Sequence, residues 1–165
     1  MKAALDVHYR GDGAVAACVA FRDWQDGEPT RIVRVAVPAP ERYRAGRFYR
    51  RELPCLLTVL DEAGLKFDTI VVDGYVHLRP EVGTGLGAHL AQALSYSTVI
   101  IGVAKSPLRI ADRFTAIVRG RSSKPLFVSA LGCPLEDAAR EVQGMHGRYR
   151  IPTILRLADR CARGA

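Results

Sequence analysis

Four residues have the types and the spacing to do chemistry together: Asp6, Glu52, Asp73 and Lys105. Asp6 lies in "LDVHYRGDGAVAACVAF", residues 5–21, inside an expected first strand, where Asp is disfavoured. Such a carboxylate is either an edge residue facing water or one kept for its chemistry, because burying it unpaired is costly. Asp73 ends the apolar run "FDTIVVDG", 67–74, the pattern of a buried central strand carrying an acid at its C-terminal end. Glu52 falls in the first turn of the helix expected between them. If the first strand is central and the Asp73 strand pairs beside it, both carboxylates point into one cleft. Oxygen donors without His or Cys partners favour hard ions such as magnesium or manganese, and clustered like charges need a cation to be tolerable. Lys105 directly follows "VIIGVA" and brings a cation to the same sheet edge. There it either marks the solvated end of a strand or serves to neutralise a scissile phosphate or to orient an attacking water.

The elements that must position these residues follow from periodicity. Residues 2–9 and 14–22 read as strands joined by "RGDG", a hairpin connection, and "RIVRVAV", 31–37, as a third strand stopped by Pro38. Helical spacing of Phe48, Leu53, Leu56, Leu57 and Leu60 predicts a helix ending near Gly64, with Pro54 placing its regular start near Leu53. Strands at 67–74, 97–105 and 124–132 then alternate with a glycine-rich loop and helix, "GTGLGAHLAQAL", and helical segments near 134–145 and 152–163 close the chain. The expected architecture is α/β, with a mixed central sheet antiparallel over its first three strands and parallel afterwards, flanked by helices.

At 165 residues the chain is of single-domain size, and one domain over 1–165 is expected. No apolar stretch approaches the roughly 20 residues of a bilayer span, and Asp6 and His8 interrupt any secretory apolar region, so no membrane is expected. Cys18, Cys55, Cys133 and Cys161 form no CxxC pair, which argues against zinc and for free thiols in a reducing, cytoplasmic compartment. A net charge of +7 draws the protein to polyanions. The stretch "ERYRAGRFYRRE", 41–52, combines five arginines with aromatics, either for phosphate contact and base stacking or as a solvated helix entry with its aromatics buried.

Taken together, "DVHY" at 6–9, "FYRRELP" at 48–54, "VVDG" at 71–74, "GLGAHL" at 85–90, "IGVAKSPL" at 101–108, "KPLFVS" at 124–129 and the late "YRIP" resemble endonuclease V, in family order over almost the whole chain. The resemblance implies a ribonuclease H-like fold and a magnesium- or manganese-dependent endonuclease that cuts a phosphodiester near deoxyinosine or inosine in DNA or RNA, of DNA-repair type. It implies cleavage on the 3' side of the lesion, leaving 5'-phosphate and 3'-hydroxyl ends. By the same resemblance, Asp6, Glu52 and Asp73 hold the metal and Lys105 is the catalytic lysine. Tyr43 takes the place of the aromatic wedge residue. Arg47, Arg51, Gly74, Arg79, Gly85 and His89 complete the expected nucleic-acid contacts, and a monomer is expected.

The chain departs from the family's pattern in places. The wedge tyrosine stands in "ERYRAG" without flanking prolines, and "YVHLRPEVG" is one residue longer than the matching family stretch. The family's late "S-x-G-H-R" histidine is replaced by Gly132 or Cys133 in "SALGCPLED", which predicts slow cleavage that Gly132→His would speed up. A nucleic-acid-binding protein of the same fold with weak or lost catalysis, or a nuclease for another DNA or RNA structure, is the competing reading.

Overall fold

A computed structural model describes residues 1–11, 13–38 and 48–164. Tyr43, Arg47 and the neighbouring Arg42 and Arg44 lie outside the described residues. The elements run β1 (Lys2–Arg10), β2 (Gly13–Phe21), β3 (Arg31–Pro38), α1 (Phe48–Ala63), β4 (Thr69–Asp73), β5 (His77–Leu78), α2 (Leu86–Ala93), β6 (Val99–Ala104), β7 (Ala111–Asp112), β8 (Phe114–Ile117), β9 (Leu126–Leu131), α3 (Leu135–Gly144) and α4 (Thr153–Arg163). A seven-stranded sheet has the order β3-β2-β1-β4-β6-β9-β8, and β5 pairs with β7 in a separate two-stranded ladder.

The first three strands form an antiparallel meander, and β4 and β6 add to β1 in parallel. This is the mixed sheet read from the sequence, with one difference. β9 runs antiparallel to β6. A parallel return needs a long crossover, usually a helix. The chain between β6 and β9 instead forms β8, which pairs antiparallel with β9 and reverses its direction.

Alternation along the strands divides the core into two layers. Ala3, Leu5, Ile70 and Val72 face α1 and α2, whereas Ala4, Val71, Ile101 and Val103 face α3 and α4. β2 is rich in small residues, so helices pack closely on both of its faces: Ala17 meets Cys161 and Ala162 of α4, while Ala16 and Cys18 lie with Cys55 and Val59 of α1. That close approach carries α4 across β1, over the strand that bears Asp6.

α1 begins before Leu53 and runs through Pro54, which is exposed. Proline removes an N–H from the helical ladder at a cost of about 3 kcal/mol. On the solvent face water can satisfy the freed carbonyl, while Cys55, Leu56, Val59 and Leu60 are buried against the sheet. Burying each such aliphatic side chain contributes about 1.5–3 kcal/mol, so packing outweighs the local break.

Candidate active site

Register brings the two aspartates together. β1 and β4 pair as Ala4 with Val71 and Leu5 with Val72, so one further step along both strands reaches Asp6 and Asp73. Alternation sends both side chains to the α3–α4 face, the face of Ala4 and Val71. Asp73 pairs with Val103 of β6, and Lys105, two residues further on, shares that face. Lys105 Nζ donates to Asp73 Oδ2 at 2.6 Å. Glu52 comes from α1 on the opposite side of the sheet, and together with Asp6, Asp73 and Lys105 it lines one cleft of ≈ 430 Å³ at the C-terminal ends of β1 and β4.

Charge and burial work against each other in this cleft. The Asp6 carboxyl is pushed up to about 6, chiefly by burial and then by Asp73, against the opposing pull of Lys105 and of the Val7 N–H. Glu52 is pushed up to about 9 by burial and by the charges of Asp73 and Asp6. For Lys105, burial disfavours the ammonium, but the hydrogen bond and charge of Asp73, with Asp6 and Asp159 adding, leave its pKa raised. Without a cation both acids are therefore shifted toward their protonated forms, Glu52 further than Asp6. Among the described residues, no three of His, Cys, Asp and Glu stand grouped as a ready metal cage.

Sequence reasoning missed Asp159, which α4 places in the same cleft, where its charge also raises Asp6. Arg163 Nε donates to its Oδ1 at 3.0 Å. A signal was present: Asp159 is the sole acid of a helix carrying Arg156, Arg160 and Arg163, one step from the buried Ala158. Tyr75 was missed as well. It is buried, donates through its hydroxyl to Ser106 O at 2.9 Å and packs edge-on to Phe114, so it ties the segment after Asp73 to the segment after Lys105.

The expected nucleic-acid contacts fall in different places. Gly74 lines the cleft, with φ at 138° in the region that favours glycine. Its carbonyl lies so close to Gly102 of β6 that a Cβ there would come within 2.4 Å. Gly85 is buried at the start of α2, where a Cβ would meet Val76 O at 2.4 Å, so it serves close backbone packing. His89 stacks on Tyr49 with ring centroids 3.7 Å apart. Arg51 is half-buried, with its guanidinium 3.6 Å from the centre of the Tyr9 ring. Arg79 is exposed on the loop before α2.

The expectation for the late histidine is corrected by topology. Because β9 runs antiparallel to β6, Leu131 lies opposite Ile100, and Gly132 packs beside Thr98 and Val99 at the start of β6. Lys105 and the acids stand at the other end of that strand. A histidine at position 132 would lie a strand length from the cleft, so its absence gives no reason for slow cleavage.

Carboxylates on adjacent parallel strands, a third acid reaching round the sheet end and a helix packed across the first strand stand on a mixed sheet of ribonuclease H-like fold. The endonuclease V family model matches residues 1–160. Endonuclease V of Trichormus variabilis is 30% identical, over 97% of this chain and 80% of the relative. That of Rhodospirillum centenum is 32% identical, over 97% of this chain and 75% of the relative. The fold also matches Ciona intestinalis endonuclease V, solved with a 24mer DNA containing an inosine followed by a ribo-adenosine, with a TM-score of 0.84 and 21% identity over 99% of this chain and 84% of that one. The chain belongs to the endonuclease V family, a family of divalent-metal-dependent nucleases.

Proposed function

We propose that the chain is a magnesium- or manganese-dependent endonuclease that hydrolyses a phosphodiester near deoxyinosine in DNA or inosine in RNA. The convergence of Asp6, Glu52, Asp73 and Lys105 on one cleft carries this reading. Family membership and the inosine-containing DNA bound to the Ciona relative support it.

The donor set fits a hard dication: the converging side chains offer carboxylate oxygens, and burial and mutual repulsion leave Asp6 and Glu52 short of a compensating positive charge. Asp6, Glu52 and Asp73 would hold the ion, with Asp159 a further carboxylate beside them. When bound, such an ion supplies charge stabilisation to the phosphoryl oxygens and lowers the pKa of water. The chain's own residues do the rest. Asp73 holds Lys105 protonated and aimed into the cleft, where the ammonium stabilises negative charge developing on a non-bridging phosphate oxygen. The backbone around Gly74, with no Cβ in the way, lets a nucleotide approach the acids closely. The free cysteines suit a reducing, cytoplasmic compartment, and a monomer suffices for the cleft.

The test is cleavage of matched single- and double-stranded oligonucleotides, DNA and RNA, with and without inosine, in magnesium or manganese. Metal-dependent cutting of the inosine strand that disappears in Asp73→Asn supports the reading. Binding without metal-dependent cutting after long incubation would favour the non-catalytic binding protein instead.

A further inference from the structure

Beside the cleft lies a second concavity, a groove of ≈ 810 Å³ whose walls include Arg121, Arg148, Tyr149, Arg150 and Arg156. Arg121, Arg148 and Arg156 are exposed, and among the described residues none of these four arginines is paired with a carboxylate. Tyr149 is 50% exposed. The guanidinium carbons of Arg148 and Arg156 sit 5.0 and 5.3 Å from its ring centre, and Arg148 Nη2 donates to its hydroxyl at 2.9 Å. An aromatic face flanked by unpaired cations has the composition of a platform for an unstacked base between two phosphates.

The groove is held in shape before any ligand arrives. Arg119 is buried to 6% exposure and donates to five carbonyls: Gln143 O at 3.0 Å, Tyr149 O at 2.9 Å, Gly147 O at 3.1 Å, Arg150 O at 3.3 Å, and Met145 O. A loop fastened at five carbonyls loses little further freedom on binding, which favours affinity. The groove is also joined to the cleft. Arg150 Nη2 donates both to Lys105 O and, at 2.7 Å, to Pro125 O. Ile151 lines the groove and also the niche beneath Asp6 and Asp73.

We propose that this groove is a second nucleic-acid subsite that holds the single strand running out of the acid cleft, with phosphates on Arg121, Arg148 and Arg156 and one unpaired base stacked on Tyr149. This rests on the nuclease reading for the identity of the strand. The incoming base takes one guanidinium's place over the ring, and the displaced guanidinium meets the flanking phosphate.

Fluorescence anisotropy on the full chain in EDTA tests it, with labelled single strands of about 5 and about 15 nucleotides, lengths that bracket a small binding site. The longer strand should bind more tightly. Tyr149→Ala should weaken it about tenfold with little effect on the short one, and Tyr149→Phe should restore it. Arg148→Gln and Arg156→Gln should each lower the slope of log affinity against log salt by about 0.7. These side chains are exposed, and thermal unfolding matching the parent verifies that each variant is folded. Cleavage is scored separately, so these losses in a chain that never cuts would sustain the groove while ending the nuclease reading. Unchanged affinity and slope in folded variants would overturn the groove and leave the cleft's activity untouched. Competition by poly-glutamate as strong as by an oligonucleotide of equal charge would also overturn it, since the surface would then read charge alone.

Discussion

Glu52→Gln should stabilise the protein in the absence of metal while removing its cleavage activity. In the unfolded chain the Glu52 carboxyl ionises near its ordinary 4.5, whereas in the folded cleft burial and the charges of Asp73 and Asp6 push it up to about 9. The sign follows from proton linkage: between those values the folded state keeps a proton that the unfolded state has released, so stability declines as pH rises from 4.5 toward 9. At pH 7 the cost is about 3 kcal/mol. Glutamine is neutral in both states and escapes it. For a chain of this size about 3 kcal/mol corresponds to a rise in Tm of about 6–12 °C. Thermal unfolding in EDTA, followed by circular dichroism, should show parent and variant nearly together near pH 4.5 and widely separated at about pH 8. Added magnesium should then raise the parent more than the variant and narrow the gap. An offset that is the same at every pH, or a variant less stable than the parent at the alkaline end, would refute the electrostatic account of the cleft.

Lys105→Met should lower the cleavage rate about 10²–10³-fold and leave oligonucleotide binding in EDTA intact, because the ammonium acts on charge that develops during reaction; a parallel loss of binding would make it a docking residue. Arg119→Met should lower stability by about 3 kcal/mol or more, since it strips a shared donor from five carbonyls at once; an unchanged Tm would deny it that role. Gly132→His should leave the cleavage rate unchanged and cost about 1–2 kcal/mol, because φ is +92° there and the position faces the start of β6. A faster enzyme would contradict the strand direction found for β9.

Local pattern determined a good deal by itself. An acid in a strand, an acid ending an apolar run and a lysine ending another were visible as single residues at element ends, and alternation fixes which face each occupies once the strands are known. The strands of the β1–β3 meander, β4, β6 and the two C-terminal helices were legible for the same reason: their periodicity extends over enough residues to outweigh local ambiguity. Whether Asp6 and Asp73 would be neighbours was not legible, because it depends on β1 and β4 pairing in parallel, a contact between segments more than sixty residues apart. The direction of β9 decided that Gly132 lies far from the cleft, and no property of "KPLFVSALG" encodes direction. The persistence of α1 through Pro54 needed the sheet beneath it, since tertiary burial overrode a local preference. Asp159 and the Arg119-braced groove are likewise products of packing. One depends on small residues of β2 letting α4 cross β1, the other on a buried guanidinium gathering the carbonyls of a loop. Sequence specifies residue types and local periods, whereas a site is a set of distances, and only the folded chain supplies those.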